Sequence, residues 1–233
     1  MTRPLYDMFN TVPPHYDLLN TLNTWGLDRQ WRRKTAEACL ESSPRSILDI
    51  CCGTGDLSYE IALRRSSDTE MVALDFSSLM VDLAARKTAG LDGEPEFVIG
   101  DASELPFPDR CFDCIGISFA FRNLTYRNPK SKKHLAEIFR VLKPGGRFVI
   151  IESSQPGLAI IRKLCHLYLR LYVKNIGTLI SGNKGAYTYL AESAARFYTP
   201  EEIRGMLRET GFDSVRYRPF LFGAAGLHVA LKK

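Results

Sequence analysis

Between Ile47 and Glu152 the sequence alternates short apolar runs with helical stretches, and this alternation constrains the fold more than any other feature. The runs are 47–51, 71–75, 96–100, 112–118 and 147–152. Helical periodicity fills 57–64, 77–87 and 131–142 between them, with Ser77 or Ser78 as N-cap of the second helix. Continuous apolar runs, rather than period-two patterns, mark strands buried on both faces, so a parallel sheet covered by helices is expected. Lys143-Pro144-Gly145-Gly146 reads as a helix stop and turn before the fifth strand. The alternation then pauses and resumes at Thr199-Pro200-Glu201-Glu202, a capping box with Pro at the first helical position. Residues 214–218 and 227–231 read as a final strand pair. The expected fold is α/β, a doubly wound, mostly parallel seven-stranded sheet with an N-terminal helical cap and a helical insertion. One domain is expected throughout: 1–44 the cap, 45–154 a cofactor-binding core, 155–198 an insertion or substrate lid, and 199–233 a closing helix and strand pair.

Composition narrows the class without deciding it. The chain has 233 residues, 45% of them hydrophobic, enough to bury a core. Its net charge of +5 is too small to argue for nucleic acid or a lipid surface. No apolar run reaches the roughly 20 residues of a membrane span and no stretch reads as a secretory signal, so a cytoplasmic protein is expected. Six cysteines are therefore read as reduced thiols. Cys111-x-x-Cys114 has zinc-like spacing but no second pair, and Cys114 falls in a strand, so no metal is expected.

Ligands of an open parallel sheet bind at the carboxyl ends of its strands. The first strand ends in Asp49-Ile-Cys-Cys-Gly53-Thr54-Gly55-Asp56. Gly53 and Gly55 permit positive φ and close approach of backbone to ligand. A dinucleotide loop carries a third glycine where this chain has Ser58, so a pyrophosphate is not expected. Asp49 and Asp56 oppose phosphate and suit an amino group. Asp75 ends the second strand, where a carboxylate accepts hydrogen bonds from a ribose diol. Asp101 and Ala102 follow the third and suit an adenine edge. Ser118 ends the fourth, beside the reactive end of such a ligand. Together these describe an adenosine joined to a charged amino acid without phosphates, S-adenosylmethionine, leaving S-adenosylhomocysteine after reaction.

Three stretches go further. Tyr16-Asp-Leu-Leu-Asn20 with Trp25-Gly-Leu-Asp-Arg29-x-Trp31-Arg32, Phe119-Ala-Phe-Arg122-Asn123, and Arg140-Val-Leu-Lys-Pro-Gly-Gly-Arg-Phe-Val-Ile-Ile-Glu152-x-Ser154 resemble signatures of the C-methyltransferases of menaquinone and ubiquinone biosynthesis, the UbiE-like family. Ala120 stands where that family often has Gly, and Tyr198 where Pro is common. The resemblance implies methyl transfer to a ring carbon of a prenylated quinol, demethylmenaquinol or, as an alternative, a benzoquinol of the ubiquinone pathway. By motif it assigns Thr54, Asp75, Asp101, Ala102 and Ser118 to the cofactor. Arg122 is then the candidate partner of a phenolate-like oxygen, since an arginine stays protonated and does not act readily as a base. Asn123 is the candidate that orients the same hydroxyl. His15, Tyr16 and Tyr187 are weaker candidates for the substrate pocket.

Residues 158–174 form a patterned stretch in which Arg162, His166, Arg170 and Lys174 recur every four residues. One reading packs its apolar face on the domain and solvates the basic stripe. The other rests the apolar face on a membrane, peripherally at its inner face, or on the isoprenoid tail. A basic cluster from Arg122 to Arg147 holds eight Lys or Arg against Glu137 alone, so an RNA methyltransferase is the rival class. The absence of an appended aromatic RNA-binding module weighs against a nucleic-acid partner. Nothing in the sequence sets the oligomeric state, a homodimer being one option.

Overall fold

The computed structural model describes residues 21–173, 175, 178 and 184–233. Seven strands form one sheet: β1 (Ser46–Ile50), β2 (Glu70–Asp75), β3 (Glu96–Ile99), β4 (Phe112–Ser118), β5 (Leu142–Ser153), β6 (Phe212–Phe220) and β7 (Ala225–Lys232). Their order is β3-β2-β1-β4-β5-β7-β6. The first five are mutually parallel, and β7 runs antiparallel to both β5 and β6. This is the doubly wound sheet that the buried runs call for.

Side-chain alternation along the strands explains why both faces are covered. Leu48, Ile50, Ile115, Ile117, Phe148 and Ile150 enter one buried cluster, shared with Leu135 and Ile138 of α5 (Ser131–Val141) and Ile203 and Leu207 of α8 (Pro200–Thr210). Ile47, Cys114, Val149 and Ile151 enter a second cluster with Trp31, Ala36 and Cys39 of α1 (Leu27–Leu40) and Leu57 and Ile61 of α2 (Asp56–Ala62). Truncating a fully buried strand residue such as Ile115 to Ala costs about 2–5 kcal/mol on the transfer-plus-cavity scale.

The local signals act where their chemistry places them. Ser77 caps α3 (Ser78–Thr88), its hydroxyl accepting from the Met80 N–H at 3.4 Å. Thr199 and Glu202 make the reciprocal capping box of α8, with Pro200 inside it. The Lys143–Gly146 stretch departs from expectation: it is no turn between elements but part of β5, which begins at Leu142 directly after α5. The ladder to β4 skips there, from the Phe112–Leu142 pair to the Cys114–Arg147 pair. Two contacts absorb the extra residues. Lys143 Nζ reaches Asp113 at 2.8 Å, and a Cβ on Gly146 would meet the Lys143 carbonyl oxygen at 2.8 Å, closer than side chains tolerate.

Beyond β5 the chain forms α6 (Ala159–Tyr168), a single π-helical turn (Leu169–Val173) and α7 (Lys184–Ala195). Its burial is the reverse of a helix packed by its apolar face. Ile160 is 70% exposed, and Leu164, Leu167 and Leu171 are exposed as well. His166, read as part of a solvated stripe, is partly buried, its Nε2 at 2.9 Å from Gln155 Oε1. Among the described residues no helix is long and apolar enough to cross a membrane.

Candidate functional site

The sheet order places the divergence of connections between β1 and β4, since the chain runs outward through β2 and β3 and then returns to the other side of β1. A cleft open to solvent lies there, at the switch point where small ligands of such sheets bind. Its floor is the β1 loop: Cys51, Cys52, Gly53 and Thr54. Asp75, Phe76 and Met80 close the β2 side, while Ser118, Phe119, Ala120 and Asn123 close the β4 side.

The loop takes its shape from left-handed backbone. Gly53 has φ 54° and Gly55 φ 81°. The two glycines differ in purpose. Gly53 has open space where a Cβ would stand, whereas at Gly55 that atom would meet the Ala84 Cβ at 2.7 Å. The close approach at Gly55 is thus between helices α2 and α3. Cys51 also adopts φ 56°, which costs a residue with a Cβ roughly 1–2 kcal/mol. Strain of this kind persists where the surroundings hold it in place. Burial, with Asp75 and Asp49 nearby, keeps the Cys51 and Cys52 thiols protonated.

Asp75 is buried at the end of β2 and accepts from the Gly53 and Ser77 N–H groups, each at 3.0 Å. Burial raises its pKa, and these backbone donors oppose the rise. Asp49 lies deeper, 1% exposed and outside the cleft wall. Burial pushes its pKa to about 7 against the hydrogen bond from Ser58 Oγ at 2.6 Å. Ser58, the residue in place of a dinucleotide-loop glycine, therefore serves as the clamp on Asp49. Near the cleft, two buried side-chain oxygens lack a hydrogen-bond partner among the described residues, Ser118 Oγ in its wall and Asp49 Oδ1 behind the loop. A polar group of a ligand beside Ser118 would meet the demand in the wall.

The other predicted residues differ in place or in partners. Asp56 is not free to meet a ligand amino group, because Lys87 Nζ holds it at 2.5 Å and Arg32 at 3.4 Å. Asp101 and Ala102 are not in the cleft wall. Burial pushes the Asp101 carboxyl up, but the Ser103 N–H and Lys130 Nζ outweigh it and hold its pKa at about 2. Asn123 lines the cleft, while Arg122 lies behind it in the short helix α4 (Phe121–Thr125). Arg122 Nη1 donates to Ser153 Oγ at 2.7 Å and pairs with Glu152 Oε1 at 3.3 Å; its backbone N–H donates to Glu152 Oε2 at 3.0 Å. Its Nε is buried without a partner among the described residues. His15 and Tyr16 lie outside the described residues, as does the side chain of Tyr187. The basic run from Arg122 to Arg147 is largely spent internally: Lys130 pairs with Asp101, Arg140 with Asp109 and Glu137, Lys143 with Asp113, and Arg147 with Glu41.

Among the wall residues that sequence reasoning did not assign, the charged one from outside the strand ends is Arg32, which reaches the cleft from α1. Its only signal was its place at the end of the Trp31-Arg32 signature.

With this geometry in place, residues 2–232 match the ubiE/COQ5 methyltransferase family. The chain belongs to that family. Among curated relatives, the demethylmenaquinone methyltransferase of Deinococcus radiodurans is 42% identical over 97% of this chain and 92% of its own. The demethylmenaquinone methyltransferase of Thermus thermophilus is 41% identical over 95% and 98%. Among solved structures, a SAM-dependent methyltransferase from Aquifex aeolicus superposes with a TM-score of 0.57 at 20% identity, covering 84% of this chain and 88% of that one. At that identity the likeness speaks to the fold alone.

Proposed function

We propose that the chain transfers a methyl group from S-adenosylmethionine to a ring carbon of a prenylated quinol, demethylmenaquinol, yielding menaquinol and S-adenosylhomocysteine. The observation that carries the cofactor half is a glycine-loop cleft with Asp75 at one wall and the unpartnered Ser118 hydroxyl at the other. Gly53, Thr54, Asp75 and Ser118 form the direct contacts, with Asp49 and Gly55 shaping the loop from behind. Asp101 and Ala102 are assigned the adenine edge. The acceptor half rests on the relatives named for demethylmenaquinone methylation. No described cluster of His, Cys, Asp or Glu suits a metal, and none is invoked.

When bound, the cofactor supplies a methyl group already activated by a sulfonium. What remains for the chain is positioning, exclusion of water and management of charge. A quinol ring carbon is nucleophilic when the adjacent hydroxyl loses its proton, so negative charge gathers on that oxygen. Asn123, in the cleft wall, orients the hydroxyl. Arg122, braced by Glu152 and Ser153, places a permanent positive charge behind it, with its unpartnered Nε as the free donor. Arg122 accepts no proton; the hydroxyl proton leaves to water, and after methyl transfer the ring proton is lost while the oxygen regains one, so a single proton is released overall. His15, Tyr16 and Tyr187 are retained as candidates for the pocket.

The acceptor's isoprenoid tail gives the exposed leucines of α6 a purpose. From Ser153 to Ala191 the sequence holds no Asp or Glu but includes Arg162, Lys163, Arg170, Lys174 and Lys184. An apolar stripe flanked by cations suits the surface of an anionic bilayer, and peripheral contact there is part of the proposal. Purified protein given labelled S-adenosylmethionine with reduced demethylmenaquinone, a reduced benzoquinone precursor or bulk RNA tests the reading. Label is expected in the naphthoquinol; preference for either other acceptor overturns it.

A further inference from the structure

Arg32 is buried in the cleft wall, yet much of its guanidinium is unspent. Nη1 alone meets both neighbouring carboxylates, Asp28 and Asp56. Nε and Nη2, the paired donors of the fork, have no acceptor among the described residues. An arginine that served only to neutralise carboxylates would engage them through two nitrogens. Nor does Asp56 require Arg32, since Lys87 already holds it at 2.5 Å.

The side chain is also held in place. Asp28, 2% exposed, anchors Arg32, and Asp28 itself accepts from Thr24 Oγ1 at 2.9 Å. On the β4 side, Phe119 adopts φ 54° and its ring lies under the guanidinium, 5.4 Å from Cζ to centroid. A cation so braced, beside the glycine loop and on the wall away from Asp75, is built to receive an anion. Resting on the reading of this cleft as the S-adenosylmethionine site, Asp75 marks the ribose end, and the amino-acid end lies toward β4.

We propose that Arg32 binds the carboxylate of the cofactor's amino-acid tail through Nε and Nη2, and thereby selects cofactors that carry that carboxylate. The consequence is a discrimination that the loop and Asp75 do not provide. Decarboxylated S-adenosylmethionine keeps the adenosine, sulfonium and amino group and loses only the group Arg32 would hold.

Calorimetric titration of the full chain with S-adenosylmethionine, its decarboxylated form and 5′-methylthioadenosine tests this. The intact protein is expected to favour S-adenosylmethionine over the decarboxylated form by about 10- to 100-fold, the range of charge-assisted hydrogen bonds. Arg32→Met is expected to erase that preference while leaving methylthioadenosine affinity within about 2-fold, which also reports that the variant is folded. Arg32→Lys, which keeps charge but loses the fork, is expected to fall between them. An intact protein that binds both forms equally overturns the proposal, as does an Arg32→Lys variant weakened equally toward all three ligands. Failure of the intact protein to bind S-adenosylmethionine at all would instead remove the cofactor reading on which the proposal rests.

Discussion

The two walls of the cleft are built on different principles. On the β2 side the chemistry is backbone-fixed: Asp75 is held by the Gly53 and Ser77 N–H groups, and Gly53 and Gly55 set the loop. On the β4 side it is held by side chains reaching across elements: Arg122 of α4 by Glu152 and Ser153 of β5. Backbone-fixed sites arise from a contiguous motif, whereas side-chain networks need partners distant in sequence. The first wall suits a cofactor shared across a fold, and the second suits an acceptor particular to a family.

The largest expected effect breaks the second wall alone. Arg122→Ala leaves Glu152, 1% exposed, without its cation, and breaking a buried pair in this way costs about 3–5 kcal/mol. Chemical denaturation should report that loss, methyl transfer should vanish, and cofactor affinity in the folded fraction should stay near normal. A stable, active variant contradicts the role given to Arg122.

The first wall is tested by Asp75→Ala, expected to weaken S-adenosylmethionine binding by about 100-fold, the scale of two charge-assisted hydrogen bonds. Calorimetry checks it, and affinity within a few-fold of normal would argue that the ribose lies elsewhere.

Asp49 links the walls through pH. Its folded pKa of about 7 stands above the ordinary 3.8, so the native state keeps a proton that the unfolded chain gives up. The group's contribution to stability is therefore whole below about pH 4 and is lost as pH rises toward 7. Asp49→Asn removes the titration, so the variant's melting temperature relative to the intact protein should rise across that window and level off above it. A difference that does not change with pH contradicts the buried, protonated carboxyl.

The smallest effect on stability is expected from Leu164→Glu with Leu167→Glu, at exposed positions of α6 and within about 0.5 kcal/mol. Flotation with phosphatidylglycerol vesicles should nevertheless fall, and turnover of a long-tailed quinol should fall more than that of a short-tailed one. Unchanged flotation removes the membrane from the role of α6.

The same division separates the residues legible in the sequence from those that were not. The strand ends at Asp49, Asp75 and Ser118 were readable because buried parallel strands are continuous apolar runs, and the carboxyl ends of those runs must share one edge of the sheet. Arg32 was not, because only the fold brings α1 to that edge. Arg122 was placed correctly after β4, but its partner Glu152 reads locally as the end of a strand. The Lys143–Gly146 stretch misled because Pro and Gly signal a turn, while the bulge that absorbs them depends on Asp113 in a different strand.

The most direct test of the central claim is the position of the transferred methyl. Reduced demethylmenaquinone, incubated with the protein and S-adenosylmethionine and then reoxidised in air, should give a quinone one methyl heavier, with the new carbon on the ring. A product that carries the methyl on oxygen and resists reoxidation, or no product while RNA acquires the label, contradicts it.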